Sequence, residues 1–183
     1  MHFAGQRRCC LRPDPLLPVR GRLERAVITP AGAPVYVDYA HTPDALVAAI
    51  AALRPHVEAS DGRLIVVFGA GGDRDTGKRA AMGKVASEAA DLVVVTDDNP
   101  RGEDPAAIRA AILSGIAGEA LEIGDRREGI ATAIGQAGGG DIVLVAGKGH
   151  EQGQIIGSGE TMRVHPFDDV TVARECAAAV AGA

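Results

Sequence analysis

From residue 21 onward, the hydrophobic positions alternate between two rhythms. Short unbroken apolar runs at residues 64–68 (LIVVF), 92–96 (LVVVT) and 142–146 (IVLVA) lie between polar or glycine-bearing segments. They are too short for helices, and this predicts strands buried on both faces. Between them the apolar residues recur at helical spacing. Leu46, Ile50 and Leu53 share one face, and so do Met82, Val85, Ala86 and Ala89. Ile108, Ile112 and Ile116 form a third stripe, and Ile130 and Ile134 a fourth. Thr42 with Pro43 predicts a capped start for the first helix, which Arg54-Pro55 should end. Asp104 and Pro105 open the third.

The flanks complete the pattern. GRLERAVITPAGAPVYVDYA predicts two strands around a Pro-Ala-Gly-Ala-Pro turn, and residues 121–123 predict a short strand. Residues 154–164, centred on Gly157-Ser158-Gly159, predict a hairpin, and Asp168 or Asp169 caps a final helix. Residues 1–20 hold three prolines and no period, which predicts a poorly ordered lead-in to one domain over residues 21–183. The expected fold is α/β: a mostly parallel sheet covered by helices on both faces, with a C-terminal hairpin.

Composition narrows the class. Of the 183 residues, 46% are hydrophobic but only 3% aromatic, so the core must be aliphatic. A net charge of −5 disfavours a phosphodiester backbone, and no nucleic-acid partner is expected. Cys9, Cys10 and Cys176 form neither a disulfide framework nor a zinc set, which suits a reducing cytoplasm. No apolar run approaches the ~20 residues that span a bilayer. Residues 1–20 carry four arginines without an apolar centre, so neither a membrane nor a secretory role is expected.

The chemistry gathers where ligands sit in such sheets, in the loops beyond the carboxyl ends of the strands. Four loops there are polar and rich in Gly or Pro: DYAHTPD, GAGGDRDTGKR, TDDNPR and AGKGHE. Gly72 to Lys78 fits the spacing of a phosphate loop, but Arg79 stands where a magnesium-binding hydroxyl belongs, and Asp73 and Asp75 would repel a polyphosphate. Arg74 suits an anionic partner, or simply pairs with those aspartates. In the next loop Pro100 stiffens the chain after Asn99, Arg101 can grip a carboxylate, and Asp98 can accept from an ammonium; an ordinary turn with a solvated Arg fits equally well. Gly147 and Gly149 let a ligand approach the backbone, and Glu151 is a second acceptor, whereas Lys148 and His150 fit solvent as well as function. Two guanidinium groups and two carboxylates complement a small molecule with several carboxylates and amines. Asp38 can bond ribose hydroxyls and His41 a base or phosphate, unless Tyr39 and His41 merely pack on the Thr42 cap.

GRLER, VDYAHTPDAL, FGAGGDRDTGKR, TDDNPR, VAGKGHE and FDDVTVARE occur in the order and spacing of the Mur ligase family, and from about Gly21 to Glu175 the chain resembles its C-terminal, Rossmann-like domain. The resemblance implies a domain that binds the incoming amino acid in an ATP-dependent ligase of peptidoglycan biosynthesis. The DNPR box resembles that of members using meso-diaminopimelate, which they join to UDP-MurNAc-L-Ala-D-Glu. By motif position Arg74, Asp98, Asn99, Pro100, Arg101, Gly147 and Glu151 would hold the amino acid. Arg22 and Asp38 match positions that reach ATP, with His41 and Lys78 nearby. ATP and Mg2+ would be bound mainly by a central domain, and the UDP-sugar by an N-terminal domain, both outside this sequence. No catalytic nucleophile, general base or metal ligand is expected in the chain itself. Two other expectations stay open: an amino-acid-binding or remnant domain that serves no ligase, and nucleotide hydrolysis at Gly72 to Lys78.

Overall fold

The computed structural model describes residues 19–182. The expected lead-in therefore lies outside the described residues, except for Val19 and Arg20. β1 (Glu24–Ile28) and β2 (Pro34–Asp38) pair antiparallel. Four further strands extend the sheet: β3 (Leu64–Phe68), β4 (Leu92–Val95), β5 (Leu121–Glu122) and β6 (Ile142–Ala146). The order is β1-β2-β6-β3-β4-β5, parallel throughout except at the β1 edge. β3 and β6 are buried at every position, as their unbroken apolar runs require when helices cover both faces.

Each of the predicted helices forms. α1 (Pro43–Ala59) starts where Thr42 Oγ1 accepts from the Ala45 N–H, and α3 (Pro105–Leu113) where Asp104 accepts from Ala106. α2 (Lys78–Ala89) begins at Gly77 without a side-chain cap. Asp125 caps α4 (Arg126–Gln136) and Asp168 caps α5 (Asp169–Ala181), each accepting from an N–H three residues on. One face of the sheet packs on α1, α2 and α3 through Leu46, Ile50, Met82, Ile108 and Ile112. The other packs on α4 and α5 through Ile130, Ile134, Val170 and Ala173.

Two expectations are corrected. Pro55 does not end α1, which continues to Ala59. The exposed ring lies on the solvent side, while Val57, two residues on, is 1% exposed in the core; its burial offsets the lost hydrogen bond. The third helix stops at Leu113, before Ile116, although Ile116 still packs against the core from the following turn. The hairpin is slightly longer than expected, with β7 (Gly153–Ile156) against β8 (Arg163–Pro166).

The register positions the site. Asp38 at the end of β2 pairs with Ala146 at the end of β6, which pairs with Phe68 of β3, which pairs with Val95 of β4. Four strands thus end on one line. The chain leaves β3 toward the α2 face and passes after β6, by way of the hairpin, to α5 on the opposite face, opening a crevice between the two exits.

Candidate functional site

One open cleft of about 310 Å³ lies at this line of strand ends. Arg74, Asp98, Asn99, Arg101, Gly147 and Glu151 all line it, with His41 and Lys78 also on its wall. The structure thus brings together side chains from four loops that are far apart in sequence. Pro100, Arg22 and Asp38 do not line the cleft. Pro100 acts from behind: its carbonyl accepts from Glu103 N–H and closes against Gly72, where any Cβ would collide with it.

The loop after β4 is held from several sides. Gln154 Nε2 donates to the Asp98 carbonyl at 2.7 Å, and the Ile155 N–H donates to Asn99 Oδ1 at 2.9 Å. Arg101 adopts the left-handed region with φ +52°, uncommon for a residue with a side chain. Two hydrogen bonds tie it to the hairpin: its N–H donates to Ile155 O at 3.0 Å, and its carbonyl accepts from Gly157 at 2.7 Å. Arg101 Nη1 donates to Gly72 O at 3.1 Å, while Nε and Nη2 donate to no acceptor among the described residues.

Sequence reasoning left Lys148 undecided between solvent and function, and the structure buries it completely. Its Nζ lies 2.8 Å from Asn99 Oδ1, 3.2 Å from Asp98 Oδ1 and 3.7 Å from Glu151 Oε2. The charge of Asp98 is therefore matched inside the protein, and Glu151, also bonded to Asn99 Nδ2 at 2.9 Å, is the more exposed carboxylate. Below them, Arg126 and Asp169 form a bidentate ion pair at 2.8 Å with both side chains wholly buried. Arg126 also donates to Ala146 O at 3.1 Å, tying the end of β6 to the start of α5. Burial alone would lower its pKa, but Asp169, Asp98 and Glu151 raise it above the ordinary arginine value. Arg126 was not foreseen, because no local motif marks a residue whose partner lies 43 positions away.

The loop after β3 is built differently. Its Gly72 N–H donates to Asn99 O, its Asp73 N–H to Glu103 and its Gly77 N–H to Asp75. These donors are already engaged, so they form no phosphate cradle. Arg79, at the position a hydroxyl would need, is buried and holds Glu103 through both terminal nitrogens at 2.9 Å. Arg74 is exposed and makes no ion pair among the described residues; of its two readings, the pairing with Asp73 or Asp75 is not formed. Burial pushes the Lys78 ammonium below the usual lysine value, against the pull of Asp98 and Asp75, and its Nζ donates to His41 O at 2.7 Å.

The first loop carries a stacked group. Tyr39 lies 4.5 Å from the His41 ring and 5.2 Å from that of His150, and the Arg22 guanidinium sits 5.2 Å from the Tyr39 centroid. Asp38 Oδ2 accepts from the Leu23 N–H at 2.7 Å, so one carboxylate oxygen braces the chain entering β1. Among the described residues no group of three or more His, Cys, Asp and Glu could hold a metal ion, and no helix is long and apolar enough to cross a membrane.

The chain is 70% identical over 160 residues to the UDP-N-acetylmuramoyl-L-alanyl-D-glutamate--2,6-diaminopimelate ligase of Zymomonas mobilis, covering 87% of this chain and 32% of that protein. It is 58% identical over 150 residues to the ligase of the same name from Caulobacter vibrioides, covering 82% and 29%. A solved structure of a ligase of that name superposes with a TM-score of 0.80 at 43% identity, over 91% of this chain and 33% of the other. The chain spans about a third of the length of these relatives. Residues 21–149 match the family model for the Mur ligase, glutamate ligase domain, and the chain belongs to the Mur ligase family.

Proposed function

We propose that residues 21–183 are the amino-acid-binding domain of an ATP-dependent ligase that joins meso-diaminopimelate to UDP-MurNAc-L-Ala-D-Glu during cytoplasmic synthesis of peptidoglycan precursors. The observation that carries this reading is the convergence of Arg74, Arg101 and Glu151 on one cleft. Two guanidinium groups answer the two carboxylates of diaminopimelate, and Glu151 answers an ammonium. Because Lys148 already matches Asp98, the site offers one strongly available carboxylate for two amines. The second amine is left to act as nucleophile.

ATP, bound mainly by domains outside this chain, supplies an acyl phosphate on the acceptor carboxylate. The amine nitrogen then forms a bond to the acyl carbon, the phosphate leaves with the C–O electrons, and the nitrogen loses a proton. The domain's own contribution is orientation: a bound amine held toward its acceptor reacts as part of one complex rather than by chance encounter. By the resemblance of their motifs, Arg22 and Asp38 would reach the nucleotide, with His41 and Lys78 nearby.

Calorimetry tests the reading. Arg101→Ala should weaken meso-diaminopimelate binding by roughly 2–3 kcal/mol, about 30- to 150-fold, through loss of charge-assisted hydrogen bonds. Equal affinity in the wild type and the variant would refute it.

A further inference from the structure

Resting on the amino-acid-binding reading, we propose that Lys148 is a positioning residue that sets the polarity of the corner where the ligand ammonium sits. It does so by fixing which way the Asn99 amide faces and by leaving Glu151 as the carboxylate open to the ligand. The wholly buried ammonium has three acceptors around it: Asn99 Oδ1 at 2.8 Å, Asp98 Oδ1 at 3.2 Å and Glu151 Oε2 at 3.7 Å.

The orientation of an asparagine amide follows from its hydrogen-bond partners. Here two donors, Lys148 Nζ and the Ile155 N–H at 2.9 Å, converge on one end of Asn99. Only oxygen satisfies both, because a flipped amide would set its NH2 against an ammonium and an N–H. The nitrogen must therefore face Glu151 Oε2, at 2.9 Å. Glu151 Oε1 accepts no hydrogen bond among the described residues, and the side chain is 36% exposed toward the cleft it lines. Lys148 thus cancels one of two neighbouring negative charges and aims the remainder. Without it, Asn99 Oδ1 keeps only the Ile155 N–H as donor, one of the three restraints on the amide is gone, and Asp98 and Glu151 lose their shared counter-charge.

Nuclear magnetic resonance and calorimetry on the full 183-residue chain test this. In the ligand-free wild type, the Lys148 ammonium should give a slowly exchanging signal at neutral pH, and the Asn99 side-chain amide a resolved, protected pair. A Lys148 signal lost to rapid solvent exchange would overturn the proposal. Lys148→Met should displace the Asn99 amide signals. It should also weaken meso-diaminopimelate binding at least tenfold while changing affinity for pimelate, the same diacid without amines, less than twofold. A variant that is merely less stable would weaken both ligands alike.

The charge-balanced pair Lys148→Met with Asp98→Asn guards against misfolding; it should show the same displaced amide and, with Glu151 again the one open carboxylate, a smaller loss of preference. If both variants fail to fold, the wild-type ammonium signal decides. Unchanged Asn99 signals and an unchanged diaminopimelate-to-pimelate ratio in Lys148→Met would overturn the role of Lys148 and leave the amino-acid reading standing. A wild type that binds no meso-diaminopimelate would end that reading, and the Asn99 and Lys148 signals would then decide the positioning role.

Discussion

The two walls of the cleft are made of similar residues held in opposite ways. In the loops after β4 and β6, Asp98, Asn99 and Lys148 are buried and bonded to one another, with Arg126 and Asp169 beneath them. In the loop after β3, Arg74 stands exposed without an ion pair among the described residues. Both walls carry charge, but burial separates their work. A buried charge must be matched or it costs several kcal/mol, so it serves as frame; an exposed one can afford to wait for a ligand.

Three substitutions would break or sharpen that contrast. The largest effect is expected deepest in the frame. Arg126→Met leaves Asp169 unmatched and should cost about 3–5 kcal/mol, lowering Tm by roughly 6–20 °C in a chain of this size. A shift of a degree or less in a thermal melt would show that the frame does not depend on this pair. Gly147→Ala should act on both properties. Its φ is +121°, and a Cβ there would stand 3.0 Å from Asp98 Oδ2. We expect about 1–3 kcal/mol of lost stability together with weaker ligand binding, read by denaturant unfolding and calorimetry. An alanine variant as stable as the wild type would remove the steric argument. Arg74→Ala should leave Tm within a degree and weaken diaminopimelate about tenfold. A large fall in Tm would mean that Arg74 belongs to the frame after all.

The same contrast explains what the sequence disclosed. The apolar runs 64–68 and 142–146 and the stripes of the helices located the sheet and its layers, because burial imposes a period that can be read locally. Thr42, Asp104 and the pair Asp168-Asp169 marked helix starts because a cap bonds an N–H two or three residues on, and the structure gives the last cap to Asp168. Pro55 misled, since the cost of a proline in a helix is local while the gain from burying Val57 is tertiary. The cleft-lining residues stood out because Gly, Pro, Arg and Asp concentrate in the loops at strand ends. The frame did not stand out. Lys148 meets Asp98 across 50 positions and Arg126 meets Asp169 across 43, and nothing in the spacing of either partner announces the other.

The level ending of β2, β6, β3 and β4 gives the rim the character of a row of sockets. Each loop is plugged into its own strand and also leans on its neighbours, since Gly72, Lys148 and Glu151 all bond Asn99, so a substitution in one loop is felt in the next. The arrangement has one common vulnerability. A slip of a single residue in β6 would exchange the side chains that face its two helical layers and misalign the attachments on both sides at once.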